Sequence, residues 1–327
     1  MKLLITGGTG FIGSRLAYSA VGAGHGVLVA GMVDTPATAT NCEQLRQAGI
    51  EVRVGTIAEL VQAREALNGV DVVVHLAAAQ HEMNVPDSHF RQVNVEGTSR
   101  LLAAAKQAGV GRFVYGSTIG VYGVGNGPVD ESTPPAPTNV YGTTKLEAER
   151  LVLAETGIPV AVVRISEVYG PGDRRLLKLF KAIQRKRFFH LGSGQNLHHP
   201  IYIEDLTRGL LAAAAHPAAA GQVFVLPGKD VVTTNQMVAA VADAVGASVP
   251  SLRLPLWPFV STAALLETAL RPLRIQPPLH RRRMDFFRTS FQLDGSKAAR
   301  LLDFVPTVGF PEGTRHTARW YRESQLL

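Results

Sequence analysis

Short apolar runs alternate with amphipathic stretches through the first half of the chain. The apolar runs are typical of buried strands, and the spacing of apolar positions between them is typical of helices. We predict strands at residues 2–6, 27–30, 51–54, 70–75, 112–115 and 159–165. We predict helices at residues 11–23, 42–48, 59–67, 90–108 and 140–155. This alternation indicates an α/β fold with a doubly wound parallel sheet, which binds ligands at the carboxyl ends of its strands.

A glycine-rich turn follows the first predicted strand. Gly7, Gly10 and Gly13 are spaced three residues apart, between that strand and the first predicted helix. Such glycines permit a tight turn, the approach of a pyrophosphate to the backbone, and close packing of the helix. The N–H groups at the start of the helix, from Phe11 onward, favour phosphate binding. The pattern predicts a Rossmann-type dinucleotide-binding domain in residues 1–165, and a strand–turn–helix without ligand is the alternative.

Residues 166–327 have a looser pattern that glycine and proline interrupt often. We expect a smaller C-terminal substrate-binding region here, laid over the sheet, with residues 222–226 returning to the sheet as a strand. The segment 254–275 is unusually apolar. It is expected to form core or the wall of a lid, and a peripheral membrane contact is the less favoured alternative.

Two polar motifs contain candidate catalytic residues. Tyr141 and Lys145 are four residues apart at the start of a predicted helix, and therefore share one helix face. A nearby ammonium group lowers the pKa of a tyrosine, which can then exchange protons near neutral pH. Ser117 and Thr118 follow a buried strand. Their hydroxyl groups are candidates to contact a substrate oxygen, and capping of a turn is the alternative.

The glycine turn, the hydroxyl pair and the Tyr-x-x-x-Lys motif together resemble the extended short-chain dehydrogenase/reductase family, within the NAD-dependent epimerase/dehydratase superfamily. The resemblance covers nearly the whole chain. It implies that Tyr141 exchanges the proton, that Lys145 holds the nicotinamide ribose, and that Thr118 orients the substrate oxygen. Asn94 matches a family asparagine that supports the site. The cofactor contacts implied by the resemblance are Gly7, Gly10, Phe11, Ile12, Gly13, Ile57, Leu76, Ala77, Ala78, Asn94, Tyr141 and Lys145.

The residues after the second predicted strand leave the choice of dinucleotide open. An acid at the end of that strand would select NAD through the ribose, but Gly31 occupies the expected position. Asp34 is a substitute if the loop folds back, and Arg15 is a candidate to bind a 2′-phosphate. Thr56 replaces an aspartate that contacts adenine in relatives. We therefore expect the cofactor to be NAD or NADP.

Three further residues are candidates for substrate contact. Relatives that act on nucleotide sugars usually carry an asparagine just before Val-Tyr-Gly-Pro, where it contacts the diphosphate. Glu167 takes that position here, and a carboxylate repels a diphosphate. His198 and His199 fill the segment in which those relatives carry an arginine. Glu167, His199 and Ser117 are the candidate substrate residues, and no metal site is expected because adjacent histidines on an extended segment point to opposite faces.

The C-terminal half is more similar to the 3β-hydroxysteroid dehydrogenase branch. The similarity rests on residues 192–196, 201–205, 277–279, 284–286, 297–300 and 320–321. It implies hydride transfer between nicotinamide and a secondary alcohol or ketone of a bulky, apolar, steroid-like substrate. Two alternatives remain: a nucleotide-sugar epimerase or dehydratase with tightly bound NAD, and a non-catalytic dinucleotide-binding sensor.

The cysteine count, the net charge and the position of the first strand indicate where the protein is expected to act and which partners it is expected to have. The 327 residues include one cysteine, Cys42, which excludes an internal disulfide. A strand that begins at residue 2 leaves no room for a signal peptide, so we expect a cytoplasmic enzyme. The net charge is +7 and includes a basic run at 280–283. No aromatic-interleaved basic motif indicates nucleic acid, and the expected partners are a small-molecule substrate and a second copy of the chain.

Overall fold

A seven-stranded parallel sheet forms the centre of the protein, in a computed structural model that describes residues 1–80, 85–123, 127–270, 286–287 and 289–327. The strands of this sheet are β1 (Lys2–Thr6), β2 (Gly26–Gly31), β3 (Glu51–Val54), β4 (Val72–His75), β5 (Arg112–Thr118), β7 (Val160–Ile165) and β12 (Gln222–Leu226). Their order across the sheet is β12-β7-β5-β4-β1-β2-β3, and every pair is parallel. The predicted doubly wound α/β fold is confirmed.

Helices connect and cover these strands. They are α1 (Phe11–Gly22), α2 (Pro36–Gln47), α3 (Ile57–Gln62), α4 (Asp87–Arg91), α5 (Gly97–Gln107), α6 (Val140–Leu153), α7 (Leu177–Gln184), α8 (Ile203–Ala215), α9 (Thr234–Val245), α10 (Trp257–Leu270), α11 (Ser296–Leu302) and α12 (Phe310–Glu323). In the part of the chain that the structure describes, no helix is long and apolar enough to cross a membrane.

The sheet separates two apolar cores because successive side chains point to opposite faces. Leu3 and Ile5 belong to the core that also contains residues of α1, α2 and α8. Leu4 belongs to the other core, with residues of α5 and α6. Burial on both faces explains why these strands are continuously apolar in the sequence.

In the described residues, four short strand pairs lie outside the main sheet, and all of their strands except β6 belong to the C-terminal region. They are β6 (Pro128–Val129) with β15 (Gln292–Leu293), β8 (Val168–Tyr169) with β11 (Ile201–Tyr202), β9 (His190–Leu191) with β14 (Arg253–Leu254), and β10 (Leu197–His198) with β13 (Val232–Thr233). Helices α7, α9 and α12 share a small core that includes Phe180, Val238 and Tyr321. Residues 222–226 form β12, at the edge of the main sheet beside β7.

Several boundaries differ from the sequence-based prediction. β5 continues to Thr118, and the helix predicted at 42–48 begins at Pro36, where the Thr35 side chain accepts a hydrogen bond from the Thr38 N–H. The helix predicted at 90–108 is interrupted by a π-helical turn at Gln92–Glu96. Residues 271–275 of the apolar segment, the basic run at 280–283, and residues 277–279 and 284–285 of the tail lie outside the described residues.

Candidate functional site

The turn between β1 and α1 leaves space for a phosphate group. Gly7 has a φ of 67°, and a Cβ there would lie 2.7 Å from the Ala77 nitrogen. A Cβ on Gly13 would lie 2.4 Å from the Gly7 carbonyl oxygen, whereas a Cβ on Gly10 would meet that oxygen at 3.1 Å and no other atom within 4 Å. The first turn of α1 contains no acidic residue. Backbone N–H groups and open space at this point fit the pyrophosphate of a dinucleotide.

Asn94 links the end of β4 to the helix that carries Tyr141. The Ala79 N–H donates to Asn94 Oδ1 at 2.8 Å, and Asn94 Nδ2 donates to the Ala79 carbonyl oxygen at 3.0 Å. Asn94 Nδ2 also lies 3.0 Å from Thr144 Oγ1 on α6. The segment of Leu76, Ala77 and Ala78, which the resemblance assigns to cofactor contact, lies between β4 and this anchor. Ile57 begins α3, just beyond β3.

The turn that follows Thr118 and the first turn of α6, which carries Tyr141, pack against each other near the carboxyl edge of the sheet. Thr118 is the last residue of β5. Asn139 caps the N-terminus of α6, because its Oδ1 accepts a hydrogen bond from the Gly142 N–H at 2.9 Å. A Cβ on Gly142 would lie 2.6 Å from the Gly120 carbonyl oxygen. The glycine therefore allows the first turn of α6, with Tyr141, to lie against the turn that follows Thr118.

Lys145 lies one turn further along α6, inside the protein. Its side chain is buried, and Nζ is 4.1 Å from the centroid of the Tyr115 ring. Burial lowers the pKa of Lys145 to about 7, against the opposing effect of the Glu149 carboxylate. The tyrosine and the lysine thus share a helix face, as predicted, with the tyrosine at the surface end.

The Ser117 side chain, which the sequence predicts to contact substrate, is turned into the protein interior. Its hydroxyl group is buried and donates to Glu149 Oε2 at 2.8 Å. Side chains alternate along a strand, so Ser117 and Thr118 cannot face the same side. The sequence-based prediction ended this strand at residue 115, so that both hydroxyl groups lay in the turn after it. Because β5 continues to Thr118, the two side chains instead lie on opposite faces of the strand.

His199, which the sequence also predicts to contact substrate, is likewise turned into the protein interior. Its ring is buried, with Nε2 2.9 Å from the Gly228 carbonyl oxygen. Nδ1 lies 3.1 Å from the Leu293 nitrogen, so it accepts that N–H. Burial lowers the pKa of His199, and the neutral ring joins two backbone segments.

Glu167 is the predicted substrate residue that keeps an accessible polar group. Its side chain is 41% exposed, and its Oε2 lies 3.1 Å from Nδ1 of the buried His198. His198 Nε2 is in turn 3.0 Å from Thr234 Oγ1. Glu167 follows β7 two residues after Ile165, whose register partner is Thr118. The carboxylate therefore stands at the same edge of the sheet as the candidate catalytic group.

Relatives that select NAD carry an acidic residue at the position of Gly31. In this protein, the side chain of Thr9 occupies the space that a side chain at residue 31 would need. A Cβ on Gly31 would lie 2.4 Å from Thr9 Oγ1. That hydroxyl is held in place because it donates to the Met32 carbonyl oxygen at 2.7 Å. The glycine is therefore required by the neighbouring threonine, and an acidic side chain has no room there.

The three other cofactor-selecting candidates have local partners. Arg15 Nη2 lies 2.6 Å from a Glu204 carboxylate oxygen at the start of α8. Asp34 Oδ1 accepts a hydrogen bond from Thr38 Oγ1 at 3.2 Å, at the start of α2. Thr56 caps α3 in a reciprocal pair with Glu59. The contact of Arg15 with a 2′-phosphate, considered from the sequence, stays a prediction.

A buried charge pair near Lys145 was missed by sequence reasoning. Arg164 Nε lies 3.2 Å from Glu149 Oε1, and both side chains are almost fully buried. Two signals were available in the sequence. Glu149 continues the four-residue spacing of Tyr141 and Lys145, and Arg164 is a charged residue inside an apolar strand.

The fold and the glycine turn define a dinucleotide-binding α/β protein. Residues 3–226 match the NAD dependent epimerase/dehydratase family, and the chain belongs to this family. It is 30% identical over 343 residues to the 2-alkyl-3-oxoalkanoate reductase of Stenotrophomonas maltophilia (strain K279a), covering 96% of this chain and 98% of that protein. It is 28% identical over 297 residues to 3beta-hydroxysteroid-dehydrogenase/decarboxylase isoform 2 of Arabidopsis thaliana, covering 84% of this chain and 52% of that protein.

A solved structure with the same fold is UDP-glucuronic acid 4-epimerase from Bacillus cereus in complex with NAD. The TM-score is 0.79 at 26% identity, with 99% of both chains covered. The protein is therefore an enzyme of an NAD-dependent family, and the predicted nicotinamide dinucleotide, NAD or NADP, is confirmed as the cofactor class. The matches include both hydroxysteroid dehydrogenases and nucleotide-sugar epimerases.

Proposed function

We propose that the protein is an NAD(P)-dependent dehydrogenase or reductase for a secondary alcohol or ketone on a bulky apolar molecule. The observation that carries the proposal is the carboxylate of Glu167. It is partly exposed at the edge of the sheet that bears Thr118, and His198 holds it in place. Nucleotide-sugar enzymes of the family usually use a neutral asparagine at this position.

The charge of Glu167 opposes a diphosphate ligand. Two like charges about 4 Å apart repel by about 4 kcal/mol at an effective dielectric constant of about 20, which is typical near a protein surface. That energy corresponds to a loss of roughly a thousandfold in affinity. A substrate with hydroxyl groups or an apolar surface does not meet this penalty.

Apolar residues continue from the Glu167 side of the site. The centroid of the His198 ring lies 4.6 Å from that of the tilted Phe286 ring, and the Phe286 centroid lies 5.1 Å from that of Phe287, which meets it edge-on. Phe287 packs on a small cluster that includes the buried Leu191 and Ala263. This arrangement supports an apolar substrate, as does the match to a 2-alkyl-3-oxoalkanoate reductase.

The residues of the site divide the proton chemistry among them. Tyr141 gives its phenolic proton to the substrate oxygen in reduction and accepts a proton in oxidation. Lys145 stabilises the phenolate through its charge and holds the nicotinamide ribose, and Thr118 donates a hydrogen bond to the substrate oxygen. Gly10, with the N–H groups of α1, would hold the dinucleotide. When bound, the nicotinamide supplies a hydride at C4 or accepts one there.

The second candidate is a nucleotide-sugar epimerase or dehydratase that keeps its NAD. The structural likeness to UDP-glucuronic acid 4-epimerase supports it, and so does a match at 32% identity to the uncharacterized UDP-glucose epimerase YtcB of Bacillus subtilis (strain 168). The same residues, Thr118, Tyr141 and Lys145, serve either chemistry. The two candidate functions therefore differ in two respects. They differ in whether the substrate carries a diphosphate, which the Glu167 carboxylate would repel, and in how tightly the cofactor is retained.

Calorimetry with UDP-glucose tests the proposal at Glu167. We expect weak binding to the wild type and at least tenfold tighter binding to Glu167→Asn. The control is Glu43→Asn, which removes an exposed carboxylate on α2 and should leave the affinity unchanged. Tight binding to the wild type, with no gain in Glu167→Asn, would contradict the charge argument.

Nucleotide release tests the same choice independently. The purified protein is denatured, and the released dinucleotide is identified and counted per chain. Little released nucleotide supports an exchangeable cofactor and therefore a dehydrogenase or reductase. Near-stoichiometric NAD would favour the epimerase, because an enzyme that recycles its cofactor retains it.

A further inference from the structure

Three polar side chains form a row along α6. Tyr141, Lys145 and Glu149 are spaced four residues apart and share one face of the helix. Tyr141 is at the surface end, whereas Lys145 and Glu149 are 2% and 1% exposed. The proposed chemistry uses the first two residues, and the third has no part in it.

Glu149 is fixed by two neighbouring strands. Ser117 Oγ on β5 donates to Glu149 Oε2 at 2.8 Å, and Arg164 Nε on β7 donates to Oε1 at 3.2 Å. Ser117 and Arg164 are register partners in the sheet, so the three side chains close a ring. Holding the Ser117 side chain on the face of the sheet that packs against α6 directs the Thr118 side chain to the opposite face.

The same network reaches the turn after Thr118 and the loop before Tyr141. Arg164 Nη1 donates to the Tyr122 hydroxyl oxygen at 2.7 Å, and that hydroxyl donates to the Asp130 carbonyl oxygen at 2.6 Å. Tyr122 lies in the turn after Thr118, and Asp130 lies in the loop before Tyr141. The buried pair is thus tied to the backbone that carries each catalytic hydroxyl group.

The electrostatic surroundings of Lys145 depend on Glu149. Burial lowers the pKa of Lys145 to about 7, and the Glu149 carboxylate opposes this effect. From β4, His75 faces the lysine, and burial together with the Lys145 charge lowers the pKa of His75 to about 3. From β5, Tyr115 faces it, and burial raises the pKa of that phenol. His75 and Tyr115 are therefore neutral near pH 7 and do not replace the carboxylate.

We propose that Glu149 is a positioning residue for the reaction, which favours the charged form of Lys145 and fixes the strand end that presents Thr118. This inference rests on the roles proposed above for Tyr141 and Lys145. Without the carboxylate, the buried lysine loses its proton more easily. The phenol of Tyr141 then loses the nearby cation that favours its ionised form.

The test is a titration of Tyr141 that needs no substrate. The ultraviolet absorbance of phenolate is followed against pH in the wild type and in Tyr141→Phe, and the difference isolates one of the seven tyrosines. The same difference is measured in the Glu149→Gln background. We expect the midpoint for Tyr141 to move up by about one pH unit in Glu149→Gln, and to return towards the wild-type value in Glu149→Asp.

A double variant keeps the test decisive if Glu149→Gln destabilises the fold. Glu149→Gln leaves the guanidinium of Arg164 buried without its anion, which is costly. Glu149→Gln with Arg164→Gln replaces the charged pair by neutral side chains that can still hydrogen bond. An upward shift in the folded double variant supports the proposal. An unchanged midpoint in a folded variant without the carboxylate would show that Glu149 is only structural.

The readouts separate this inference from the proposed function. A shifted Tyr141 midpoint, with no hydride transfer to any ketone, would contradict the proposed function and leave the role of Glu149 intact. Where turnover is measurable, the pH dependence of kcat/KM for alcohol oxidation should move by the same amount as the Tyr141 midpoint. Hydride transfer whose pH profile is the same with and without the Glu149 carboxylate would contradict the inference.

Discussion

Replacement of Gly13 by alanine should separate α1 from the turn that precedes it. The added Cβ would lie 2.4 Å from the Gly7 carbonyl oxygen and 2.5 Å from the Gly8 Cα. Ordinary van der Waals contact begins at 3.4 Å, so the helix or the turn must move by about 1 Å. Both obstructing atoms belong to the backbone, and no flexible side chain can relieve the overlap.

The same helix provides a matched control. A Cβ on Gly22, at the end of α1, would meet no atom within 4 Å. Gly22→Ala should therefore be neutral, or stabilise the protein by about 0.5–1 kcal/mol through helix propensity. Overpacking typically costs about 1–3 kcal/mol, so Gly13→Ala should be less stable than Gly22→Ala by about that amount.

Urea unfolding and calorimetry with NAD and NADP measure the two effects. We expect Gly13→Ala to have a lower free energy of unfolding than Gly22→Ala and at least tenfold weaker dinucleotide binding. The binding loss follows because the displaced helix N-terminus no longer presents its N–H groups to the pyrophosphate. Equal stability and equal affinity in the two variants would refute the assignment of the glycine turn.

Three other substitutions test separate parts of the site. Tyr141→Phe should lower turnover by more than tenfold with little change in dinucleotide affinity, because acid–base groups contribute about 10²–10⁴-fold to the rate. A smaller loss of turnover in steady-state kinetics would exclude the tyrosine as the proton donor. Asn94→Leu should cost about 1–3 kcal/mol in urea unfolding, since it leaves the buried N–H and carbonyl groups of Ala79 unpaired; unchanged stability would show that water replaces the amide. The pKa of His75 is lowered from 6.5 to about 3 in the folded state, so the unfolded chain binds a proton first as pH falls. Between pH 7 and pH 5, the free energy of unfolding of the wild type should therefore fall by about 2 kcal/mol because of this group. Chemical denaturation at the two pH values should show that His75→Gln lacks this part of the decrease.

Local sequence patterns predicted the elements that form the proposed cofactor site. The apolar runs located the strands of the first half, and the glycine spacing located the turn where Gly7 and Gly13 pack against backbone. The four-residue spacing placed Tyr141 and Lys145 on one helix face. These features depend on the periodicity of apolar and polar positions and on where single glycines occur, and both can be read from the sequence.

The roles of Ser117 and His199 depended on contacts that are remote in sequence. The direction of Ser117 follows from the extension of β5 and from Glu149, which is 32 residues away. His199 is fixed by Leu293, 94 residues further along the chain. Local periodicity does not show which face a residue takes at a strand end or which distant backbone group it bonds, so substrate contact was assigned to side chains that are buried.

The most direct test of the account is whether reduced dinucleotide is consumed in step with product. NADH and NADPH are mixed with the protein and a panel of bulky apolar ketones, and loss of reduced nicotinamide and formation of alcohol are measured together. The account predicts one alcohol formed per reduced dinucleotide consumed, with the rate strongly reduced in Tyr141→Phe. Conversion of a UDP-sugar to its epimer on tightly held NAD, with no net consumption of added dinucleotide and no ketone reduced, would contradict it.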